Sequence, residues 1–321
     1  MANIVTIGGG TGTFVVLSGL KSLPGVNLSA IVTTSDDGGS TGRLRDAYGL
    51  LPLGDARQAL VALSSDGTVL RDLFAYRFQK GDVTGHNLGN LFLTALTNLL
   101  GSEAAAIQEA SRILRVKGYV IPATEKPTIL AARLEDGTEI RGEHAITDRD
   151  SSATRIASVS LAEPVSLSEA AREAIMKADA IILGPGTLYA SSVAALLPVG
   201  TKEVIQASAA RIIYIVNLFT KKGQTDGFAA SDHVREMTNY AGRAPDEVLI
   251  HKGPFSKEVL DWYEKAEERP VKDDLPEAPN IHRAELASVH VVPPLPGDPV
   301  RRSLIRHDSE RLREVLEPLL S

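Results

Sequence analysis

Residues 3–13 read Asn-Ile-Val-Thr-Ile-Gly-Gly-Gly-Thr-Gly-Thr. Ile4, Val5, Thr6 and Ile7 are all β-branched, the composition of a short buried strand, and the glycines that follow end it in a turn. Beyond the turn, Phe14, Leu17, Leu20 and Leu23 recur near the helical period, and Pro24-Gly25 stops the pattern. Residues 28–34 read as a second strand. A strand, a glycine turn, a helix and another strand make a βαβ unit, so the sheet it starts is parallel and covered by helices. Glycines at such a turn let the backbone close on a ligand, and the helix N-terminus offers unpaired N–H groups to a phosphate. Thr11 and Thr13 add hydroxyl donors. Against G-x-G-x-x-G, Gly8 and Gly10 fit but the third position is Thr13, and the P-loop ending Gly-Lys-Ser/Thr is absent. The plain alternative is a tight turn with no ligand. Gly8, Gly9, Gly10 and Gly12 are more glycine than a turn needs, which favours an anion site at Gly9, Gly10, Thr11 and Gly12.

Working outward, apolar helical stretches punctuated by glycine fill roughly 42–115. Residues 118–121, 128–134 and 138–146 read as short strands, with Glu135-Asp136-Gly137 as a hairpin turn between the last two. They form a small antiparallel insertion over 118–160. The α/β rhythm then returns with strands at 180–183, 212–216 and 248–250. Helices are expected near 167–177, 187–197, 231–241, 255–268 and 308–320. A proline-rich stretch, 270–300, surrounds one more strand at 289–292. The expected fold is α/β: a doubly wound, mainly parallel sheet with a small antiparallel β insertion, in a single nucleotide-binding domain over 1–321.

The chain has 321 residues, 43% hydrophobic and 23% charged, which suits a globular core and not a disordered chain. Aromatics are 5% and the net charge is −6, so neither a stacking platform nor a basic footprint for nucleic acid is present. Cysteine is absent, which excludes disulfides, thiolate catalysis and Cys-ligated metal sites. No apolar run reaches the ~18–20 residues of a membrane span, and the first residues lack the pattern of a signal peptide. The expected compartment is the cytoplasm.

Further motifs sit where strands give way to helices. Ser35-Asp36-Asp37-Gly38-Gly39-Ser40-Thr41-Gly42-Arg43-Leu44-Arg45 follows the second strand. In a doubly wound sheet this loop lies beside the glycine turn. Asp36 or Asp37 can accept ribose hydroxyls or hold Mg²⁺, Arg43 and Arg45 can face phosphates, and Gly38 and Ser40 lie between them. A solvated loop with a helix cap is the plain alternative. Gly54-Asp55-Ala56-Arg57 opens a helix, where Asp55 reads equally well as a charge on the helix dipole. Gly85-His86-Asn87-Leu88-Gly89-Asn90 opens the most apolar helix, with His86 a candidate acid/base or ligand contact and Asn87 and Asn90 one turn apart. Gly184-Pro185-Gly186-Thr187-Leu188-Tyr189 is a second strand–glycine turn–helix unit, hence a second anion site at Gly184, Gly186 and Thr187. Asn217 ends a strand. Ser231 reads as a helix N-cap, and Ser231-Asp232-His233 lacks the G-x-S-x-G elbow of a nucleophile. The seven histidines stand singly, without zinc spacing. Lys221, Lys222, Arg301 and Arg302 read as solvated surface charge.

Six motifs in this order resemble the bacterial gluconeogenesis factor family, which is similar to the 2-phospho-L-lactate transferase of deazaflavin coenzyme biosynthesis. They are Gly-Gly-Gly-Thr-Gly, Asp-Asp-Gly-Gly-Ser, Gly-Asp-Ala-Arg, Gly-His-Asn-Leu-Gly-Asn, Gly-Pro-Gly-Thr-Leu-Tyr and Ser-Asp-His, spread over nearly the whole chain. The resemblance implies a Rossmann-like fold and a cytoplasmic protein linked to growth on gluconeogenic carbon, cell shape and peptidoglycan synthesis. It also implies binding of UDP-sugars such as UDP-N-acetylglucosamine. Carried over, Gly9, Gly10, Thr11, Gly12, Asp37, His86, Asn87, Asn90, Gly184, Gly186 and Asn217 match nucleotide-facing loops. Arg306-His307-Asp308 looks like the segment that contacts the UDP-sugar. Ser309 stands where relatives carry a phosphorylatable Thr. The transferase relatives hold a divalent metal near an aspartate of the Asp-Asp-Gly-Gly loop, here Asp37.

Three functions follow as expectations. The first is a ligand-sensing regulator that binds a UDP-sugar or another nucleotide diphosphate, with no catalytic residue and no obligate cofactor. Its partners would be proteins of envelope synthesis, with a second copy of the chain also open. The second is a group transferase in which Asp37 holds Mg²⁺ with the nucleotide and His86 is the acid/base candidate. The third is an NAD-dependent oxidoreductase, for which no hydride-transfer dyad is evident.

Overall fold

The computed structural model describes residues 1–35, 37–48, 52–65, 67–149, 154–290 and 303–320. Its strands are β1 (Ala2–Gly8), β2 (Val26–Val32), β3 (Tyr119–Pro122), β4 (Leu130–Leu134), β5 (Glu139–Arg141), β6 (Ile156–Leu161), β7 (Ala180–Leu183), β8 (Arg211–Ile215), β9 (Glu247–His251) and β10 (Ile281–Ala284). Between β2 and β3 run α1 to α6 less the first: α2 (Gly39–Tyr48), α3 (Gly54–Leu63), α4 (Val69–Ala75), α5 (Leu88–Leu100) and α6 (Glu103–Leu114), while α1 (Gly10–Leu20) joins β1 to β2. The remainder are α7 (Glu143–Thr147), α8 (Glu169–Met176), α9 (Thr201–Ala207), α10 (Ala230–Ala241), α11 (Lys257–Glu264) and α12 (Ser309–Leu320).

Seven strands form one parallel sheet in the order β10-β9-β8-β7-β1-β2-β3. The chain builds outward from β1 to β3, then returns to the other side of β1 and builds outward again from β7. Strand order therefore reverses between β1 and β7, whose residues pair from Ile4 with Ala180 to Ile7 with Leu183. Alternate residues feed two cores, as the period of a strand requires. Val5, Ile7, Ile181 and Leu183 face one side, and Ile4, Ala180 and Ile182 face the other. β7 is buried at every position, which explains why it reads as a continuous apolar run.

The small sheet differs from its expected limits. Tyr119–Pro122 joins the main sheet beside β2, so the antiparallel sheet begins after it, in the order β5-β4-β6. The strand expected over 138–146 ends at Arg141. Gly142 turns the backbone to φ +103° and α7 follows. The helix expected at 187–197 is a π-helix, Leu188–Val193, continued by a 3₁₀ turn, Ala194–Leu196. Residues 289 and 290 form a bend, while 291 and 292 lie outside the described residues. The last strand is instead β10, an edge strand half-buried throughout, whose Ile-His-Arg-Ala sequence carries little apolar signal. Ser231 is not the cap of α10: the Ala229 N–H donates to Asp232, and the Ser231 hydroxyl donates to Asp274 at 2.6 Å.

Candidate functional site

Because β1 and β7 are parallel neighbours, the turns that leave them emerge on the same rim. They touch backbone to backbone: a Cβ on Gly12 would run into the carbonyl of Pro185, and one on Gly186 would approach the Gly9 carbonyl at 3.5 Å. Gly9 is held free of a side chain by Asp55, whose carboxylate occupies that space. Asp55 stands in the first turn of α3, is 8% exposed, and accepts the Gly10 N–H at 2.9 Å. The N-terminus of α1 thus already faces an anion supplied by the chain itself. Part of the glycine signal is close packing between turns and not ligand approach.

A cleft of about 310 Å³ opens from these two turns. Of the residues singled out in the sequence, Gly9, Gly10, Thr11, Gly12, Gly38, Ser40, Asn90, Gly186, Thr187, Asn217 and Arg306 line it. Asn217 donates its amide to the Gly186 carbonyl and so ties the end of β8 to the second turn. Asn90 accepts from Arg57 Nε at 2.9 Å, and its amide lies 3.4 Å from the hydroxyls of Ser40 and Thr41.

Other candidates lie behind this lining. The Thr13 hydroxyl donates to the Gly9 carbonyl and is buried. Asn87 caps α5: its side chain accepts the Gly89 N–H and donates to the Ala75 carbonyl. Gly184, at φ +72°, is packed under the Ile215 carbonyl. Arg43 reaches the Thr84 carbonyl, away from the cleft. His86 Nδ1 lies 3.1 Å from the Ser40 hydroxyl, and burial followed by the charges of Arg43 and Arg77 holds its pKa below the usual value. Asp37 accepts the N–H of His144 at 2.7 Å, so it fastens α7 over the loop after β2. Asp36, Arg301 and Arg302 lie outside the described residues.

Several lining residues escaped the sequence reading. The small sheet contributes Glu143, His144, Thr147 and Asp148 through α7. Lys221, expected to be surface charge, binds the 5%-exposed carboxylate of Glu268 at 3.0 Å in the cleft wall. Phe219 stacks on Tyr263 with ring centroids 3.7 Å apart, and Trp262 meets Tyr263 edge-on at 4.7 Å. The Tyr263 hydroxyl accepts the Ile305 N–H at 3.3 Å and thereby holds the strand of chain that carries Arg306. That strand is also pinned by the Ser288 N–H on the Arg306 carbonyl and the Asp308 N–H on the Leu286 carbonyl, both 2.8 Å. His307 is buried there, and burial followed by the nearby His251 pushes its pKa down to about 3. Four cations, Arg57, Arg77, Lys221 and Arg306, face four acids, Asp55, Glu143, Asp148 and Glu268, among the described lining residues. Among the described residues no group of three or more His, Asp and Glu gathers as a metal site, and no helix is long and apolar enough to cross a membrane.

A doubly wound parallel sheet with a polar cleft at the reversal of strand order defines a class of protein, the Rossmann-like α/β proteins that take a ligand at this switch point. Within that class the 2-phospho-L-lactate transferase CofD family matches residues 4–292. The gluconeogenesis factor of Bacillus subtilis is 39% identical over 321 residues, covering 99% of this chain and 98% of its own length. That of Halalkalibacterium halodurans is 43% identical over 271 residues, covering 84% and 83%. A crystal structure of a Bacillus halodurans protein superposes with a TM-score of 0.88 at 38% identity, covering 98% of this chain and 99% of that one. The chain belongs to the gluconeogenesis factor family, within the wider group that CofD defines.

Proposed function

We propose that the protein is a cytoplasmic regulator that binds a nucleotide sugar of the UDP-N-acetylglucosamine or UDP-glucose type, and through it serves cell shape and growth on gluconeogenic carbon. The observation that carries this reading is the meeting of the two glycine turns at the switch point, with one cleft leading from them to an aromatic wall. A diphosphate bridge fits beside the turns, where Thr11, Thr187 and Arg306 offer donors, and the nucleoside extends toward Trp262. Lining cations are held by acceptors of the protein: Arg57 by Asn90, Arg77 by the Gly85 carbonyl, and Lys221 by Glu268. Cations already held by acceptors favour recognition over stabilisation of new charge in a transferring group. A Mg²⁺ carried in by the diphosphate would meet Asp55, the lining aspartate beside the first turn, whereas Asp37 is turned to the His144 N–H.

The match to the CofD family favours a second reading, a transferase acting on a nucleotide-activated 2-phospholactate. Calorimetry and a turnover assay separate the two. Saturable heat with UDP-N-acetylglucosamine, without consumption of it, is expected. Absence of heat at millimolar ligand would remove the regulator reading, and turnover of the activated phospholactate would establish the transferase.

A further inference from the structure

Granted the nucleotide-sugar reading, on which this rests, we propose that the hydroxyl of Ser191 donates to a phosphoryl oxygen of the ligand, and that the diphosphate comes nearest the backbone over Gly10. Six glycines form the two turns, and in five of them protein atoms fill the space of the missing side chain. A Cβ on Gly8 would lie 2.8 Å from the Thr13 hydroxyl, one on Gly184 would lie 3.0 Å from the Ile215 carbonyl, and one on Gly186 would lie 3.1 Å from the Ser191 Cβ. The Asp55 carboxylate fills that space at Gly9, and the Pro185 carbonyl fills it at Gly12. Gly10 differs. Among the described residues only the Ser191 Oγ comes within 4 Å of its Cβ position, at 3.6 Å, and both residues line the cleft. A glycine with open space above it is where a ligand can close on the backbone, and here a hydroxyl stands at the edge of that space.

The π-helix Leu188–Val193 sets this hydroxyl in place. The Thr187 carbonyl accepts the N–H of both Ser191 and Ser192, at 2.9 and 3.2 Å, and the widened turn brings Ser191 to the cleft one turn beyond Thr187. Ser192 is buried instead, beside Gly186. π-helical turns are rare and gather at functional sites. Ser191 is half-buried, and its hydroxyl has no hydrogen-bond partner among the described residues. Thr187 makes no side-chain cap to the helix, so its hydroxyl is left to the cleft as well. The Gly10 N–H is already given to Asp55. A phosphoryl oxygen over Gly10 therefore finds no backbone donor at that residue and needs a side-chain one. Ser191 supplies it without adding charge beside the Asp55 carboxylate.

Calorimetry with UDP-N-acetylglucosamine and, separately, with UDP tests the assignment on the full chain. Ser191→Ala is expected to weaken both by about five- to tenfold, the loss of one hydrogen bond to a charged acceptor, with far-UV circular dichroism unchanged. The chain has no cysteine, so Ser191→Cys carries a single thiol, and saturating UDP-N-acetylglucosamine is expected to slow its alkylation by iodoacetamide at least about tenfold. Equal affinities in the parent and Ser191→Ala overturn the assignment and leave the nucleotide-sugar reading standing. So does a loss of affinity without protection of the thiol, which would show an indirect effect. A loss seen with the sugar nucleotide and not with UDP moves the hydroxyl to the sugar and overturns its phosphate role, and a parent that binds the sugar nucleotide but gives no heat with UDP overturns it equally. A parent that binds neither probe removes the nucleotide-sugar reading and the role of Ser191 together.

Discussion

Asp55 Oδ1 accepts the N–H of Gly10 at 2.9 Å, and so the first turn of α3 supplies a carboxylate to the N-terminus of α1. The helix-end charge that would attract a phosphate is already partly answered by the chain itself. A phosphate seated on this turn shares its surroundings with Asp55. Ligand charge is then read against a fixed internal anion, and a divalent cation between the two would relieve the repulsion.

Asp55→Asn keeps an acceptor for the Gly10 N–H and removes the charge. In EDTA, its affinity for UDP-N-acetylglucosamine rises about fivefold, the equivalent of ~1 kcal/mol of relieved repulsion. Its stability in urea falls by about 1 kcal/mol, because a buried charge–dipole contact is lost. Calorimetry and urea midpoints on the same preparation check both signs. A weaker ligand affinity in EDTA would show that Asp55 helps the phosphate directly.

Gly12→Ala places a Cβ against the Pro185 carbonyl, a backbone atom that cannot rotate away. The two turns must separate, at an expected cost of about 2–3 kcal/mol. Ligand binding falls with stability, because the substitution moves Gly186 and Thr187 as well as the first turn. At Gly25 a Cβ meets nothing within 4 Å, and Gly25→Ala costs about 1 kcal/mol for its φ of +71° alone, with binding unchanged. Thermal melts and titration of the two variants side by side give the comparison.

The sheet was legible because its strands are buried on both faces: Ile4 to Ile7 and Ala180 to Leu183 need no partner in sequence to be recognised. Their glycine turns marked the rim of the cleft for the same local reason. What the sequence hides is made by distant pairs. Lys221 and Glu268 stand 47 positions apart, and each alone looks like surface charge. Asp37 lies 107 positions from His144, so nothing near Asp37 reveals that it caps a helix of the small sheet. β10 is hidden for another reason, since an edge strand needs only partial burial and its residues carry weak periodicity. Gly9 and Gly12 carry a local signal that distant packing also accounts for: the Asp55 carboxylate fills the space beside Gly9, and the Pro185 carbonyl crowds Gly12.

Lys221 and Glu268 differ in burial, with side chains 27% and 5% exposed, and the difference sets an order among their variants. Lys221→Met leaves the Glu268 carboxylate buried without its ammonium partner, at an expected cost of about 3 kcal/mol. Glu268→Gln leaves a better hydrated ammonium beside a neutral acceptor and costs about 1–2 kcal/mol. Lys221→Met combined with Glu268→Gln is less destabilising than the sum of the two single changes, because the stranded charge is gone. Denaturant midpoints of the four proteins measure the coupling, and strict additivity would show that the two side chains act independently.

His233 gives the pH dependence its sign. It is fully buried on α10, packed edge-on against Phe228, with no partner for either ring nitrogen among the described residues. Burial, opposed by the Asp232 charge, pushes its pKa down to about 4 from an unfolded value near 6.5. Above pH 6.5 the ring is neutral in both states and makes no difference to stability. As pH falls from 6.5 toward 4, the unfolded chain takes up a proton that the folded one refuses, so stability drops across that window and levels out below it. His307, with its pKa pushed down to about 3, extends the loss in the same direction. His233→Leu removes its own contribution and two unsatisfied polar atoms. It therefore melts at or above the parent temperature at pH 7, and it loses less stability between pH 6.5 and 4.5 by about 1–2 kcal/mol. Melts at half-unit pH steps measure the slope, and an unchanged slope in His233→Leu would place the acid sensitivity elsewhere.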